Sequence, residues 1–275
     1  MSMLLQRILT AIPLAVGIIW IILFQPGQVF FWLTMVITAL AAYEWAKLAG
    51  LGTSSQFVYL LFLCAISWLV INYASEYMIF YIYAAVAWWL GICLYLFSKR
   101  PKAPATAISP PKLLAGVLVI PAAMLAMNAI HSQVNGPEWL LYGLMLVWVA
   151  DIGAYFSGKR FGRTKLAPAI SPGKTREGLY GAIAAVGVYS LLAAFYFGLD
   201  ITTSAYLLVL ALVLTLVSVA GDLYESVLKR ERGVKDSGAI LPGHGGVLDR
   251  IDSVLAAMPV FMVGHDLLLQ PVLSA

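Results

Sequence analysis

Acidic and basic side chains recur at helical spacing in one apolar segment of this chain. Asp222, Glu225, Ser226 and Lys229 follow the i, i+3, i+4, i+7 pattern, so a helix would carry them as one polar stripe. Ionisable groups inside apolar spans are costly and mark functional sites by default. We therefore expect this stripe to face a cavity within the protein rather than lipid.

The loop after this segment combines glycines with cations. Gly243, Gly245 and Gly246 surround His244 and let backbone N–H groups converge on an anion. Five cations accompany them: Lys229, Arg230, Arg232, Lys235 and Arg250. This composition favours a phosphate site over a flexible turn between two helices.

Two aspartates follow the glycines at the start of the next apolar segment. The loop would bring Asp249 and Asp252 close to Asp222. Hard oxygen ligands beside phosphates suit Mg²⁺, which takes one or two carboxylates plus phosphate oxygens and water. From the sequence, the alternative that both aspartates complement the dipole of the following helix stays open.

A second cationic motif, Ser-Pro-Gly-Lys-Thr, occupies residues 171–175. It superficially resembles a phosphate-binding P-loop, but Pro168 stands where that motif needs a glycine, and we expect no strand before it. A Walker-type ATPase is therefore excluded. Lys174, with Lys165 and Arg176 nearby, is either a phosphate clamp or part of the ordinary positive charge of cytoplasmic loops.

Long apolar helices must position these residues. The 275-residue chain is 62% apolar and 11% charged, against roughly 45–50% and 25% in soluble domains. A bilayer core of about 30 Å takes roughly 20 helical residues. Nine apolar segments approach that length: 4–24, 28–49, 56–74, 77–97, 113–130, 138–157, 178–198, 202–228 and 251–269.

All seventeen Lys and Arg fall on one side of the membrane in this arrangement. Because Lys and Arg resist translocation, that side is expected to be cytoplasmic. The sequence thus predicts an all-α, polytopic membrane protein of about nine transmembrane helices, with its N-terminus cytoplasmic and its C-terminus outside. Glu44 and Asp151 also fall near the cytoplasmic ends of their segments, without belonging to a motif.

The proline-rich segment Pro101–Pro111 is interpreted as a plain flexible linker. It separates four N-terminal spans, residues 1–110, from a C-terminal catalytic region, residues 111–275. Cys64 and Cys93 lie in apolar segments and indicate neither a disulfide nor a metal site. The basic residues form no uninterrupted run, so no nucleic acid partner is expected.

Residues 226–252, from Ser-Val-Leu-Lys-Arg to Gly-His-Gly-Gly-Val-Leu-Asp-Arg-Ile-Asp, resemble the signature of phosphatidate cytidylyltransferases. Residues 221–225 and 171–178 also resemble this family, whereas the first 110 residues resemble it only as a set of hydrophobic spans. The resemblance implies a multi-pass enzyme of the inner (cytoplasmic) membrane with its active site on the cytoplasmic face. It would transfer CMP from CTP to phosphatidate, giving CDP-diacylglycerol and pyrophosphate, with Mg²⁺ as cofactor.

The resemblance also implies a role for each matching residue. Metal binding falls to Asp222, Asp249 and Asp252. The catalytic group comprises Asp222, Asp249, Lys229, Arg230, His244 and Arg250, with His244 expected to donate a hydrogen bond to phosphate. Substrate binding falls to Lys165, Ser171, Lys174, Thr175, Lys235, Gly243, Gly245 and Gly246.

Two other functions stay open at this stage. A CTP-dependent lipid kinase could use a similar metal and nucleotide site. An ion-coupled transporter would usually place its charged groups near the bilayer midplane and break spans there, whereas these groups lie at the cytoplasmic edge. The expected partners are CTP, phosphatidate and membrane lipid, and the sequence leaves a homodimer open.

Overall fold

The computed structural model describes residues 3–96, 101, 103–240 and 245–273, with side chains between residues 12 and 268. Within these ranges the chain forms nine α-helices and one short 3₁₀ turn, Ser75–Tyr77. The helices are α1 (Met3–Phe24), α2 (Gly27–Leu48), α3 (Thr53–Tyr73), α4 (Met78–Leu96), α5 (Pro110–His131), α6 (Gly136–Phe161), α7 (Arg176–Tyr196), α8 (Ile201–Arg232) and α9 (Leu248–Leu273).

Eight of the predicted spans are confirmed as helices long and apolar enough to cross a membrane, counted over the described residues. The first predicted span coincides with α1, whose apolar part is described only from Ile12 to Phe24. The count of nine therefore stays a prediction. The predominantly helical architecture of a polytopic membrane protein is otherwise as the sequence predicts.

Two local signals bound α8. At its start Asp200 accepts hydrogen bonds from the backbone N–H groups of Thr202 (2.7 Å) and Thr203 (3.1 Å), and hydrogen bonds from Thr203 and Thr202 lower the pKa of the Asp200 carboxyl. At its end Gly233 adopts φ 74°, a left-handed conformation that suits glycine. The 32 residues of α8 span roughly 48 Å at 1.5 Å per residue, so its last turns extend past a bilayer core.

A small hairpin corrects the expectation that no strand precedes the Lys174 motif. Strands β1 (Lys165–Ala167) and β2 (Ser171–Thr175) pair antiparallel between α6 and α7. Ile170 at the turn is 2% exposed and packs with Leu223 and Val227 of α8. The strands are too short to show hydrophobic alternation in the sequence. The packing of Ile170 against α8 holds the hairpin in place.

Small residues bring α6 and α7 into close contact. A Cβ atom added at Gly181 would lie 2.2 Å from the Cβ of Ser157, and one at Gly153 would lie 2.8 Å from the carbonyl oxygen of Gly181. Close backbone approach through small residues is typical of helix pairs in membranes. The two helices that flank the hairpin are thereby held together.

Helix α5 connects the N-terminal helices to the rest. Pro121 has no N–H, so the carbonyl of Val117 loses its partner in the helix, and the hydroxyl of Tyr81 on α4 donates to it. Trp45 of α2 donates its Nε1–H to the carbonyl of Lys112 at 2.8 Å. Hydrogen bonds from α2 and α4 therefore supplement apolar packing around α5.

The segment between α4 and α5 is docked, so its interpretation as a plain flexible linker is wrong for the described residues. The N–H of Ala105 donates to the carbonyl of Glu231 (3.0 Å), and Arg232 donates to the carbonyl of Ala105 (3.1 Å). Further along, the N–H of Ser109 donates to the carbonyl of Ala49 (2.9 Å). Arg232 also donates to the carbonyl of Thr106 at 2.7 Å. The contacts with Glu231 and Arg232 cross the predicted boundary at residue 110, and the division into two regions stays a prediction.

Candidate active site

The predicted functional residues gather where α8 ends, where α9 begins and where the hairpin meets α8. Lys229 joins the two helices, since its Nζ lies 2.6 Å from Oε2 of Glu225 and 2.7 Å from Oδ1 of Asp249. The exposed fractions of the three side chains are 13%, 2% and 7%. Each charge is therefore compensated inside the protein, as buried charges require.

Asp249 also holds the loop that leads into α9. Its Oδ2 accepts hydrogen bonds from the N–H of Gly246 (2.8 Å) and from the N–H of Ser237 (3.0 Å), and the Ser237 hydroxyl lies 2.9 Å away. Gly245 turns the chain at φ 87°, where a Cβ atom would lie 2.9 Å from the same oxygen. In this arrangement protein donors engage both oxygens of Asp249, and its assignment to a metal stays a prediction.

A cavity of about 450 Å³ lies between α6, the hairpin and α8. Lys174 and Asp222 meet at its wall, with Nζ 2.7 Å from Oδ2, and their side chains are 25% and 32% exposed. Asp151 of α6 also lines the cavity and interacts electrostatically with Lys174 and Asp222. Unlike the Lys229 contacts, this ion pair is open to an incoming molecule.

Two further acidic side chains lie near Asp222. Asp252 interacts electrostatically with both Asp222 and Glu225, and Oε1 of Glu225 is buried without a hydrogen-bond partner in the described part of the chain. An orphaned buried acceptor is costly unless a cation or donor satisfies it. We call Asp222, Glu225 and Asp252 the acid cluster, and their carboxylates are of the hard oxygen type that Mg²⁺ takes.

The acid cluster does not form a complete metal cage by itself. Among the described side chains, no group of three or more Asp, Glu, His or Cys residues could hold a metal ion. Mg²⁺ typically uses only one or two carboxylates, with phosphate oxygens and water completing its shell. Asp222 and Asp252 fit that requirement if a phosphate ligand enters the cavity.

The hairpin residues take defined positions. Thr175 is the N-cap of α7, since its Oγ1 accepts a hydrogen bond from the N–H of Gly178 at 3.1 Å. Lys165 is exposed and stands opposite Thr175 in the pairing, and Ser171 is half-buried opposite Ala167. Their substrate-binding roles stay predictions.

The remaining predicted residues lie on or beyond the edge of the site. Arg230, Lys235 and Arg250 are exposed, and Arg250 interacts electrostatically with Asp151. Gly243 and His244 lie outside the described residues, so their predicted roles stay as stated.

Glu44 of α2 is the site residue to which the sequence assigned no role. It is 1% exposed, and its carboxylate accepts hydrogen bonds from the N–H groups of Val247 (3.1 Å) and Leu248 (2.8 Å). The Ser237 hydroxyl lies 3.0 Å from its Oε2. In the sequence Glu44 is recognisable only as a carboxylate near the end of an apolar segment. Its hydrogen-bond partners lie about two hundred residues away along the chain, so no local pattern reveals them.

Removal of the Lys229 charge is expected to destabilise the protein. Lys229→Met would leave two buried carboxylates without their cation, and breaking a buried ion pair in this way costs about 3–5 kcal/mol. The exposed Lys235 provides the control, since Lys235→Met should change stability by less than about 0.5 kcal/mol. Unfolding of the purified proteins in detergent measures both, and equal stability of the two variants would contradict the structural role of Lys229.

Comparison with known proteins places the whole chain in one family. Residues 5–268 match the sequence model of the Cytidylyltransferase family. A phosphatidate cytidylyltransferase from Pseudomonas aeruginosa is 36% identical over 262 residues, covering 94% of this chain and 96% of the relative. One from Haemophilus influenzae is 37% identical over 290 residues, covering 94% and 97%. The chain belongs to the cytidylyltransferase family.

Proposed function

We propose that this protein transfers the cytidylyl group of CTP to phosphatidate, forming CDP-diacylglycerol and pyrophosphate. The observation that carries the proposal is the open Lys174–Asp222 pair in a cavity of about 450 Å³, next to the acid cluster. Such a site offers a cation for phosphate and carboxylates for a metal ion. The full-length relatives that are named phosphatidate cytidylyltransferases support the same reaction.

The reaction makes modest demands on the protein. The phosphate monoester of phosphatidate is largely deprotonated near neutral pH, because its second pKa is about 6. One of its oxygens attacks the α-phosphorus of CTP, a new P–O bond forms, and the bond to the β-phosphate oxygen breaks as pyrophosphate leaves with the electron pair. Positioning and charge neutralisation dominate such transfers, and Lys174 is the cation placed to bind and position a phosphate.

We propose Mg²⁺ as the cofactor, with Asp222 and Asp252 as its ligands from the acid cluster. Asp249 stays the third predicted ligand, and binding a metal would require its Oδ1 to exchange Lys229 for the ion. A bound ion would neutralise charge on the triphosphate oxygens. Lys229, Arg230, Lys235 and Arg250 are proposed to hold phosphates at the same edge.

The lipid is proposed to enter the cavity sideways from the bilayer. Tyr155 lines the cavity and is 60% exposed, and its neighbours Ile152 and Phe156 are 56% and 66% exposed. This apolar face of α6 lets acyl chains remain in the membrane while the headgroup reaches Lys174. We further propose an inner-membrane protein of nine spans, and the positive charge at the site supports placing the active site on its cytoplasmic side.

The two other candidate functions gain less support. In the described structure α8 continues without a break past the acid cluster, whereas transporters usually interrupt helices around a midplane site. In a CTP-dependent lipid kinase the hydroxyl of a membrane alcohol would attack the γ-phosphorus and CDP would leave, so the products distinguish it from the transferase, which releases pyrophosphate.

The position of a radioactive label in the lipid product tests the proposed reaction. Purified protein in detergent, given phosphatidate, the membrane alcohol diacylglycerol and Mg²⁺, should transfer label from α-³²P-CTP to lipid and release pyrophosphate. Label from γ-³²P-CTP should appear in pyrophosphate and not in lipid. Transfer of γ-label to lipid would instead establish a kinase, and no transfer of either label would contradict both enzymes.

Substitutions of Asp222 and Lys174 should affect different kinetic parameters. Asp222→Asn removes a charge proposed to hold Mg²⁺, so turnover should be lost at every Mg²⁺ concentration. Lys174→Ala removes a charge-assisted hydrogen bond worth about 1.5–3 kcal/mol, so KM should rise roughly 10- to 150-fold at 1.36 kcal/mol per decade. Arg163→Ala, at an exposed cation beyond the cavity, should leave both parameters unchanged. Wild-type turnover by Asp222→Asn would refute its metal role.

Cysteine labelling in intact cells should reveal the proposed orientation. The two free cysteines, Cys64 and Cys93, are first replaced. A single cysteine is then introduced at one of two exposed positions, as Glu76→Cys or as Arg163→Cys. An impermeant maleimide should label the first and reach the second only after the membrane is permeabilised. Labelling of Arg163→Cys in intact cells would show that the orientation is the opposite of the one proposed.

A further inference from the structure

We propose that Glu44 of α2 is a positioning residue for the catalytic loop, acting through the hydrogen bonds that its buried carboxylate accepts from that loop. The inference rests on the proposed function only for its activity measurement. Glu44 contacts the loop between α8 and α9, whose described residues are 233–240 and 245–247, together with the first residue of α9. It thus links the N-terminal helices to the site.

The chemistry of these contacts suits a carboxylate in its charged form. Both Glu44 oxygens accept backbone N–H groups at the start of α9, one from Val247 and one from Leu248. The N-terminus of a helix carries partial positive charge from its unpaired N–H groups. A carboxylate donated by α2 therefore satisfies groups that α9 cannot satisfy by itself.

The loop is shaped around Glu44. A Cβ atom at Gly238 would lie 2.1 Å from Oε1 of Glu44, and one at Gly246 would lie 2.4 Å from Oε2. Side chains at these two positions would displace the carboxylate or the loop. Close approach, rather than backbone conformation, therefore explains glycine at both positions, because neither has a positive φ.

Glu44 and Asp249 hold the same loop from two sides. The Ser237 hydroxyl lies 3.0 Å from Glu44 and 2.9 Å from Asp249, and Gly246 donates its N–H to Asp249. Asp249 in turn binds Lys229 of α8. A shift of the loop on loss of Glu44 would move Asp249 and the donors around it. Glu44 itself would not touch substrate.

The test compares Glu44→Gln with wild type in the purified, full-length protein. Gln preserves the length of the side chain but offers one acceptor oxygen, and its amide nitrogen would face an N–H donor. When equal amounts of folded protein are compared, we expect kcat to fall roughly 10- to 100-fold, because small misplacements of catalytic groups have effects of that size. The KM for phosphatidate should not change. Glu76→Gln, at an exposed glutamate in the 3₁₀ turn between α3 and α4, should retain wild-type kcat and serves as the control.

A second variant leaves the carboxylate in place. Gly238→Ala should crowd Glu44 and lower kcat in the same way, so it replaces Glu44→Gln if that variant does not fold. A purely structural role of Glu44 predicts lower thermal stability of both variants but wild-type kcat for the folded protein. That outcome would overturn the proposal.

Hydrogen exchange gives a readout that is independent of activity. Peptides containing Val247 and Leu248 should exchange faster in Glu44→Gln than in wild type, whereas peptides from α6 should not change. If wild-type protein forms no CDP-diacylglycerol, the proposed function fails while this measurement still reports on Glu44. Unchanged exchange at Val247 and Leu248 would overturn the positioning role.

Discussion

Compensation of buried carboxylates is the constraint on which the site depends. Glu44, Glu225 and Asp249 are largely withdrawn from solvent, and each needs a donor or a cation nearby. Lys229 provides a cation for two of them, and the N-terminal N–H groups of α9 serve the third. Because these partners come from α2, α8, α9 and the loop, satisfying the charges also fixes the relative positions of those elements.

The charged residues separate into an enclosed set and an open set. The contacts of Lys229, Asp249 and Glu44 are short and mostly hidden, so exchange with a ligand would leave a buried charge unpaired. Lys174 and Asp222 pair at a cavity wall and remain partly exposed, so a phosphate or metal ion can replace either partner at lower cost. The open pair is therefore the readier binding site, whereas Lys229 and Asp249 would hold a phosphate or a metal ion only by giving up their pairing with each other.

The sequence revealed features whose determinants lie within one element. The stripe on α8 follows from helical spacing alone, and the helices follow from long apolar runs. The hairpin was missed because its strands are short and Ile170 is stabilised by α8, not by strand neighbours. The donors to Asp249 and Glu44 could not be predicted, because backbone N–H groups leave no pattern in the sequence and the partners of Glu44 are distant along the chain.

The N-terminal helices thereby acquire a part in the site that their hydrophobic sequence does not suggest. Trp45, next to Glu44, donates to α5, so the segment of α2 that carries the carboxylate is held from a second side. The docked segment before α5 also ties the end of α2 to the end of α8 through Ser109 and Arg232. A residue that must hold a loop needs such support itself, since a mobile carboxylate would transmit its motion to Asp249. The N-terminal region is therefore better understood as the outer support of the site than as a membrane anchor alone.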